Sequence, residues 1–595
     1  MPPTTSSDVH LAPASVHVEQ RTDGTQLLRS PIPLAPYSRL VGDWLAHWAK
    51  ATPEHVFLAE RRNGQWFHLR YAEAADQVPR IAQGLLRRGL GPNAPLMVLS
   101  DNGIEHALLG LAAMHVGIPV APISPAYSLM SQDHLKLRQI AALLQPGAVY
   151  ASDREKYTKA LAAIERQPLA FAEVIADEVG EAVKEAHRKV TPDTVAKILF
   201  TSGSTGTPKG VVNTQRMLTA NQQQSLQVWP FLADEPPVVV DWLPWNHTFG
   251  GNYNFHMVLS NGGTMYIDAG KPAPALFDES VRNLREIAPN MYFNVPKGFD
   301  LLLPRLEEDP ELRRHFFSRC RFFFYAGSAL PQNLWDRFQQ VARAETGSNV
   351  TLVSAWGSTE TAPLCLAVHF PIDRAGVVGL PVPGCELKLV PTGGKLEARV
   401  RGPNITPGYY GSAEQTKSAF DEEGFYRIGD ALRYLDASHP ERGLIFDGRV
   451  AEDFKLRTGT WVHVGVLRLQ LLAACDPLVQ DAVLTGHDRD EIGALLFLHP
   501  SAAQMPADDV RKRIAHGLGS LNVTNGAGSA SRLSRALVQV QPPRSDAGEI
   551  TDKGYINQRA VLALRADQVD RLHAESADRD VIFPVTHDAR AATSS

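Results

Sequence analysis

Residues 200–210 read Phe200-Thr201-Ser202-Gly203-Ser204-Thr205-Gly206-Thr207-Pro208-Lys209-Gly210. The apolar residues before them predict a strand over 193–201 that runs straight into this loop. Glycine lets backbone N–H groups turn toward an anion without a Cβ clash. Hydroxyl side chains add donors, and Lys209 supplies positive charge. That chemistry suits a triphosphate. The loop is not of the Walker A type, because the residue five after Gly203 is Pro208 rather than glycine. A plain Ser/Gly linker would have no need of Pro208-Lys209-Gly210 directly after the hydroxyls.

Outward from the loop, helices and strands alternate. Apolar spacing predicts helices over 40–52, 71–90 and 102–115, and strands over 96–99, 118–123, 238–240, 264–267, 291–295, 321–325 and 351–354. This order predicts layered α/β structure rather than a sandwich or a bundle. After Gly376 the strands shorten, at 386–390 and 396–400, and Pro-Gly turns separate them, as in a small β-rich subdomain. A boundary is placed at Gly448-Arg449, after a strand over 443–447. The expected organisation is a leader over 1–39, flexible over 1–30, a large multi-subdomain α/β domain over 40–447, and a small α+β domain over 448–595. The polar segment after Ala574 is expected to fray.

Composition narrows the function classes. The 595 residues carry a formal net charge of −5, with 44% hydrophobic and 21% charged residues, which excludes a disordered chain. The charge divides as −4 before residue 448 and −1 after it, so no nucleic-acid partner is expected. Four cysteines without a CxxC pair predict buried thiols in a reducing compartment. The first residues have no signal-peptide pattern, and the apolar run over 108–123 is short and broken by Gly117, Pro119 and Pro122. A cytoplasmic protein without a membrane partner is expected.

Four more motifs follow. Trp356-Gly357-Ser358-Thr359-Glu360 comes after the strand over 351–354, offering an aromatic face, a hydroxyl and a carboxylate. Tyr426-Arg427-Ile428-Gly429-Asp430 ends in a carboxylate able to accept from two vicinal hydroxyls. Tyr325-Ala326-Gly327-Ser328-Ala329 follows an apolar strand. Leu243-Pro244-Trp245-Asn246-His247-Thr248-Phe249-Gly250-Gly251 places a histidine among aromatics and glycines.

With these motifs taken in their order along the chain, from about 40 to about 563, the sequence resembles the acyl-adenylate-forming superfamily, which includes acyl-CoA synthetases, luciferases and peptide-synthetase adenylation domains. The resemblance implies ATP, Mg²⁺ and CoA as cofactors and a small-molecule carboxylic acid as substrate. It implies that Thr201, Ser202, Gly203, Ser204, Thr205, Gly206 and Lys209 hold the phosphates, with Glu360 and Thr205 on the metal. Trp356, Gly357, Ser358, Thr359, Gly327, Ser328 and Ala329 would surround the nucleotide, with Asp430 and Arg449 on the ribose or phosphate. His247, Phe249, Gly250, Tyr325 and Ala326 would line the acid pocket. Lys553, Glu360 and Thr201 are the catalytic candidates. A homodimer is left open.

The resemblance further implies that the small C-terminal domain swings, carrying Lys553 in for adenylation and out for thiolation. Lys553 stands in Gly548-Glu549-Ile550-Thr551-Asp552-Lys553-Gly554, where the family commonly has Ser-Gly-Lys. After Gly448-Arg449-Val450, Ala451 replaces the usual acidic hinge residue, and Glu452-Asp453 follow. The stretch 458–465 would shape the pantetheine channel. These departures, with the strings at 241–249 and 294–298, resemble one branch, the bacterial feruloyl-CoA synthetases. The implied reaction is adenylation of a hydroxycinnamic acid and transfer to CoA. The alternatives are another aromatic or fatty acid, or an acyl-AMP ligase loading a carrier protein. Lys553→Ala is expected to abolish acyl-AMP formation while sparing thiolation of supplied acyl-AMP. Equal loss of both half-reactions would refute the role.

Overall fold

The computed structural model describes residues 9–175, 178–202, 208–273, 275–526, 528–544, 547–550, 556–576 and 578–585. The strand expected before the loop is Val195–Ser202. It pairs antiparallel with Pro208–Thr214, placing Lys209 opposite Thr201. Behind this hairpin, Val120–Pro122, Leu96–Leu99, Ala148–Ala151 and Pro168–Leu169 continue a six-stranded sheet in parallel. Parallel strands are covered on both faces. Accordingly Leu96–Leu99 and Val120–Pro122 carry apolar side chains only, all buried. In the helix Tyr71–Arg87, the buried residues Tyr71, Ala74, Val78, Ile81 and Leu85 repeat at three- and four-residue spacing.

A four-stranded sheet joins Val238–Asp241, Thr264–Ile267, Val56–Arg62 and Gln65–Arg70. A third sheet has eleven strands. Met291–Asn294, Phe322–Tyr325 and Thr351–Gly357 are parallel, and from Leu364–Ala367 onward the sheet becomes antiparallel. The segment 357–361 therefore lies at the carboxyl ends of parallel strands, next to the change in strand direction. Open α/β sheets bind ligands at such places.

Two expectations are corrected. The leader is not flexible over its described part. His17–Gln20 and Gln26–Arg29 form a hairpin on the edge of the eleven-stranded sheet, paired with Glu386–Leu389, and Leu28 is fully buried. Four-residue strands carry too little periodicity to read locally, and the partner strand is some 360 positions away. The segment after Ala574 is not frayed throughout either. Val581–Ile582 pairs with Leu537 and Ala536 and is buried.

Beyond Leu444–Arg449 the described chain forms a two-stranded ribbon, Phe454–Lys455 with Trp461–Val462, and a four-stranded sheet. Helices Val464–Ala474 and Ala507–Asn525 pack on each other, and their buried residues share a separate core with the four-stranded sheet. All four cysteines are buried and free. No helix among the described residues is long and apolar enough to cross a membrane.

Ile550 and Ile556 form a β-bridge that brackets 551–555. Just before it, Glu549 is fully buried. Its Oε1 accepts from Arg565 Nε at 2.6 Å, and its Oε2 from Arg565 Nη2 at 3.0 Å and from Arg544 N at 2.8 Å. The remaining Arg565 donors reach Gln539 Oε1, Gln541 O and Pro542 O. A buried pair is stable only when fully hydrogen-bonded, and breaking it strands a charge. The Arg565 guanidinium holds the Glu549 carboxyl below its usual range. Its stabilisation is therefore present above the unfolded carboxyl value and lost as pH falls through the folded one. Glu549→Ala is expected to destabilise the C-terminal segment by about 3 kcal/mol, read as a lower urea midpoint at pH 7. The gap to wild type should narrow below about pH 4.

Candidate functional site

The Val195–Ser202/Pro208–Thr214 hairpin gains a third partner from far along the chain. Tyr410 N donates to Gly210 O at 2.7 Å, and Val212 N to Gly408 O at 3.1 Å. This pairing carries Tyr409 to the site. Its hydroxyl donates to Glu360 Oε1 at 3.1 Å and lies 3.1 Å from the Tyr426 hydroxyl, while Lys209 Nζ sits 5.3 Å from its ring centroid. Ser358 Oγ donates to the other Glu360 oxygen at 2.9 Å. Burial and the Glu360 charge raise both phenols above their ordinary range, so they remain neutral donors.

Backbone geometry fixes where Glu360 stands. Strand Thr351–Gly357 ends in the short turn Thr359–Thr361, and Ser358 N donates to Thr361 Oγ1 at 2.8 Å. Thr406 N donates to Glu360 O at 2.8 Å. A Cβ at position 357 would lie 1.7 Å from Pro363 O, so only glycine permits this crossing.

Asp430 and Trp356 meet although they are 74 positions apart. Trp356 Nε1 donates to Asp430 Oδ2 at 2.9 Å, and Arg449 Nε lies 3.0 Å from Asp430 Oδ1. Trp356 and Asp430 are buried, whereas the Arg449 side chain is 57% exposed. The Asp430 charge holds the Arg449 guanidinium above its ordinary value. Each carboxylate oxygen has a second lone pair, so Asp430 can still accept from a diol.

The aromatic and glycine stretch forms a π-helical turn, Thr248–Asn254, entered from His247. Phe249 N donates to His247 Nδ1 at 3.2 Å, which places the proton of a neutral ring on Nε2. The Phe249 ring meets Phe324 edge-on at 5.5 Å between centroids. The two strings 241–249 and 294–298 also touch. Trp242 Nε1 donates to Asn294 Oδ1 at 3.1 Å. Asp241 accepts from Leu243 N and from Asn254 Nδ2, and burial pushes its carboxyl up to about 7.

The predicted residues are thus distributed unevenly. Thr201, Lys209, Trp356, Gly357, Ser358, Thr359, Glu360, Asp430 and Arg449 cluster around the hairpin and the carboxyl end of Thr351–Gly357. Gly327, Ser328 and Ala329 are exposed just after strand Phe322–Tyr325, with Ala326 half-buried beside them. The Tyr325 ring is buried in a neighbouring core, where its hydroxyl accepts from Gly376 N at 3.0 Å. Gly203, Ser204, Thr205, Gly206 and Lys553 lie outside the described residues, and of Ser202 only the backbone is described. Sequence reasoning missed Tyr409, which had no motif of its own, and the Trp356–Asp430–Arg449 chain. The Tyr of Tyr426-Arg427-Ile428-Gly429-Asp430 could have suggested the Tyr409–Tyr426 pair.

Among the described residues no group of three or more His, Cys, Asp or Glu converges to hold a metal unaided. The donor set at Glu360 suits a hard cation that keeps water and phosphate oxygens around it. Two hydroxyls donate to the carboxylate, and its remaining lone pairs are oxygen donors.

The chain is similar to known proteins along most of its length. Residues 45–410 match the family described as AMP-binding enzyme, and residues 465–577 match its C-terminal domain. An indoleacetate–CoA ligase from Aromatoleum aromaticum is 28% identical over 64% of this chain and 74% of its own length. A 4-coumarate–CoA ligase from Oryza sativa subsp. japonica is 26% identical over 75% and 80%. Among solved structures, the o-succinylbenzoate CoA synthetase of Bacillus subtilis bound to its acyl-adenylate aligns over 89% of this chain and 98% of its own, with a TM-score of 0.67 and 18% identity, a likeness of fold.

Trp356→Phe keeps an aromatic face and removes the indole donor to Asp430. AMP affinity measured by calorimetry is expected to fall roughly tenfold, with the thermal midpoint little changed.

Proposed function

The chain belongs to the AMP-binding enzyme family, and from that premise we propose that this acyl- or aryl-CoA ligase activates a hydroxycinnamic acid such as ferulate. It uses ATP, Mg²⁺ and CoA. The observation that carries the reading is the convergence of Lys209, Glu360 and the Trp356–Asp430–Arg449 chain beside one hairpin. The hydroxycinnamate assignment draws on the strings at 241–249, 294–298, 451–456, 458–462 and 548–554. It draws also on the aromatic wall around Phe249 and Phe324, which suits a flat ring.

In the first half-reaction the acid carboxylate attacks the α-phosphorus of ATP, forming acyl-AMP and releasing pyrophosphate. Asp430 accepts from the ribose hydroxyls, held in place by Trp356 and Arg449. Thr201 and Lys209, with Ser202, Gly203, Ser204, Thr205 and Gly206, hold the leaving phosphates. Glu360 and Thr205 would hold Mg²⁺, which supplies positive charge opposite the pyrophosphate oxygens. Lys553 bridges the carboxylate and the α-phosphate. His247, Phe249, Gly250 and Ala326 line the acid, with the backbone of Tyr325 behind them. Gly327, Ser328 and Ala329 flank the nucleotide. In the second half-reaction the CoA thiol attacks the acyl carbonyl and AMP leaves. Positioning and electrostatic stabilisation do the catalysis, and no protein nucleophile is required.

The test is ATP- and CoA-dependent AMP release with ferulate, coumarate, caffeate, benzoate and a medium-chain fatty acid. The hydroxycinnamates are expected to give the highest kcat/KM. A fatty acid preferred over every aromatic overturns the substrate assignment, and acyl-AMP formed without CoA-dependent release overturns CoA as acceptor.

A further inference from the structure

Lys197 is buried inside the protein, and the one side-chain hydrogen bond it makes among the described residues goes to a backbone carbonyl. Its Nζ donates to Gly251 O at 2.7 Å, and no ion pair among the described residues includes it. Burial lowers the ammonium to about 7, the expected response of a lysine without a carboxylate partner. A cavity of about 20 Å³, room for one water, lies beside it, lined in part by His106, Trp245 and Phe255. An apolar side chain of similar length would fill this place without the desolvation penalty. The lysine is therefore expected to contribute something that packing alone does not.

Its partner is the π-helical turn Thr248–Asn254, which follows His247 and carries Phe249 and Gly250. A wide turn of this kind leaves carbonyls that the regular helical ladder does not take up. Side chains take them up here. Lys197 binds Gly251 O, while Gln222 Nε2 reaches Asn252 O at 3.3 Å and Tyr253 O at 3.2 Å. Asn252 Nδ2 in turn donates to Asn213 Oδ1 at 2.8 Å. The turn also lies tightly on the chain before it. A Cβ on Gly251 would stand 2.2 Å from Trp245 O.

Lys197 and Asn213 are opposite each other in the hairpin register, as Thr201 and Lys209 are. Four residues separate the two rungs along each strand, so both project from the same face. One end of that face holds Thr201 and Lys209, and the deeper rung grips the turn. We propose that Lys197 and Asn213 are positioning residues that tie the acid-pocket wall to the nucleotide-binding hairpin, so that occupancy of one site orders the other. This rests on the reading that the chain adenylates an acid.

The variants are Lys197→Met, which keeps the length and loses the donor, and Asn213→Ser, which shortens the second contact should the first variant fold poorly. Two readouts are taken on the full chain. In steady-state kinetics, each variant is expected to raise KM for the acid roughly tenfold and KM for ATP less than twofold, with Lys197→Gln recovering part of the loss. In hydrogen exchange without turnover, AMP is expected to slow exchange over 248–256 in the wild type and to have no such effect in the variants, although AMP still binds. Equal rises in both KM values, or an AMP-dependent slowing that survives in the variants, overturn the coupling. If the wild type forms no acyl-AMP with any acid, the functional reading fails, and the exchange experiment still decides whether the rung couples the turn to the nucleotide site.

Discussion

Lys209 faces Thr201 across an antiparallel pair, and the site depends on that pairing. Thr201 and Lys209 stand on two paired strands, so the backbone ladder fixes the distance between them. The backbone bonds of 408–410 extend the hairpin on its other edge. That third segment delivers the Tyr409 hydroxyl to Glu360 and its ring to the neighbourhood of Lys209. Without the pairing, the carboxylate and the lysine would sit on separate elements with nothing to hold their distance.

The carboxylates in the structure differ by what surrounds them. Glu360 has two hydroxyl donors and keeps lone pairs for other partners. Asp430 is oriented by an indole on one oxygen and by a half-exposed guanidinium on the other. Glu549 is saturated by Arg565 and the Arg544 amide and serves as an anchor. Asp241 has an amide and a backbone donor and no cation partner among the described residues, and burial pushes it up to about 7. Acidic groups placed to bind thus retain acceptor capacity, and those placed to hold the fold are enclosed. Electrostatic stabilisation of transferring phosphates requires the first kind.

Much of this was legible along the chain. The strand before the loop and the lysine after it stand on paired strands, and most of the predicted strands lie within a few residues of their observed bounds, because apolar runs of four or more residues must be buried. The N-terminal hairpin was not legible. Its strands are four residues long, and what orders them is a sheet edge formed by residues 386–389. Tyr409 was equally silent, since a tyrosine after Pro-Gly looks like any surface aromatic until its backbone pairs with residues 210–212. Lys197 was hidden inside an apolar strand, where its charge reads as an exception and its use appears only when Gly251 is brought within 2.7 Å.

The sequence by itself determined which chemistry is present: a phosphate-suited loop, two carboxylate motifs, an aromatic and glycine turn, and the order of helices and strands. These are local matters, set by residue type and by spacings of two to five positions. The tertiary structure alone decided the partnerships, Trp356 with Asp430 and Arg449, Tyr409 with Glu360, and Lys197 and Asn213 with the π-helical turn. The physical reason is that a hydrogen bond acts over about 3 Å, whereas these residues are separated by 19 to 74 positions along the chain in the Arg449–Asp430 and Trp356–Asp430 pairs. Only the packing of whole sheets can close such a gap.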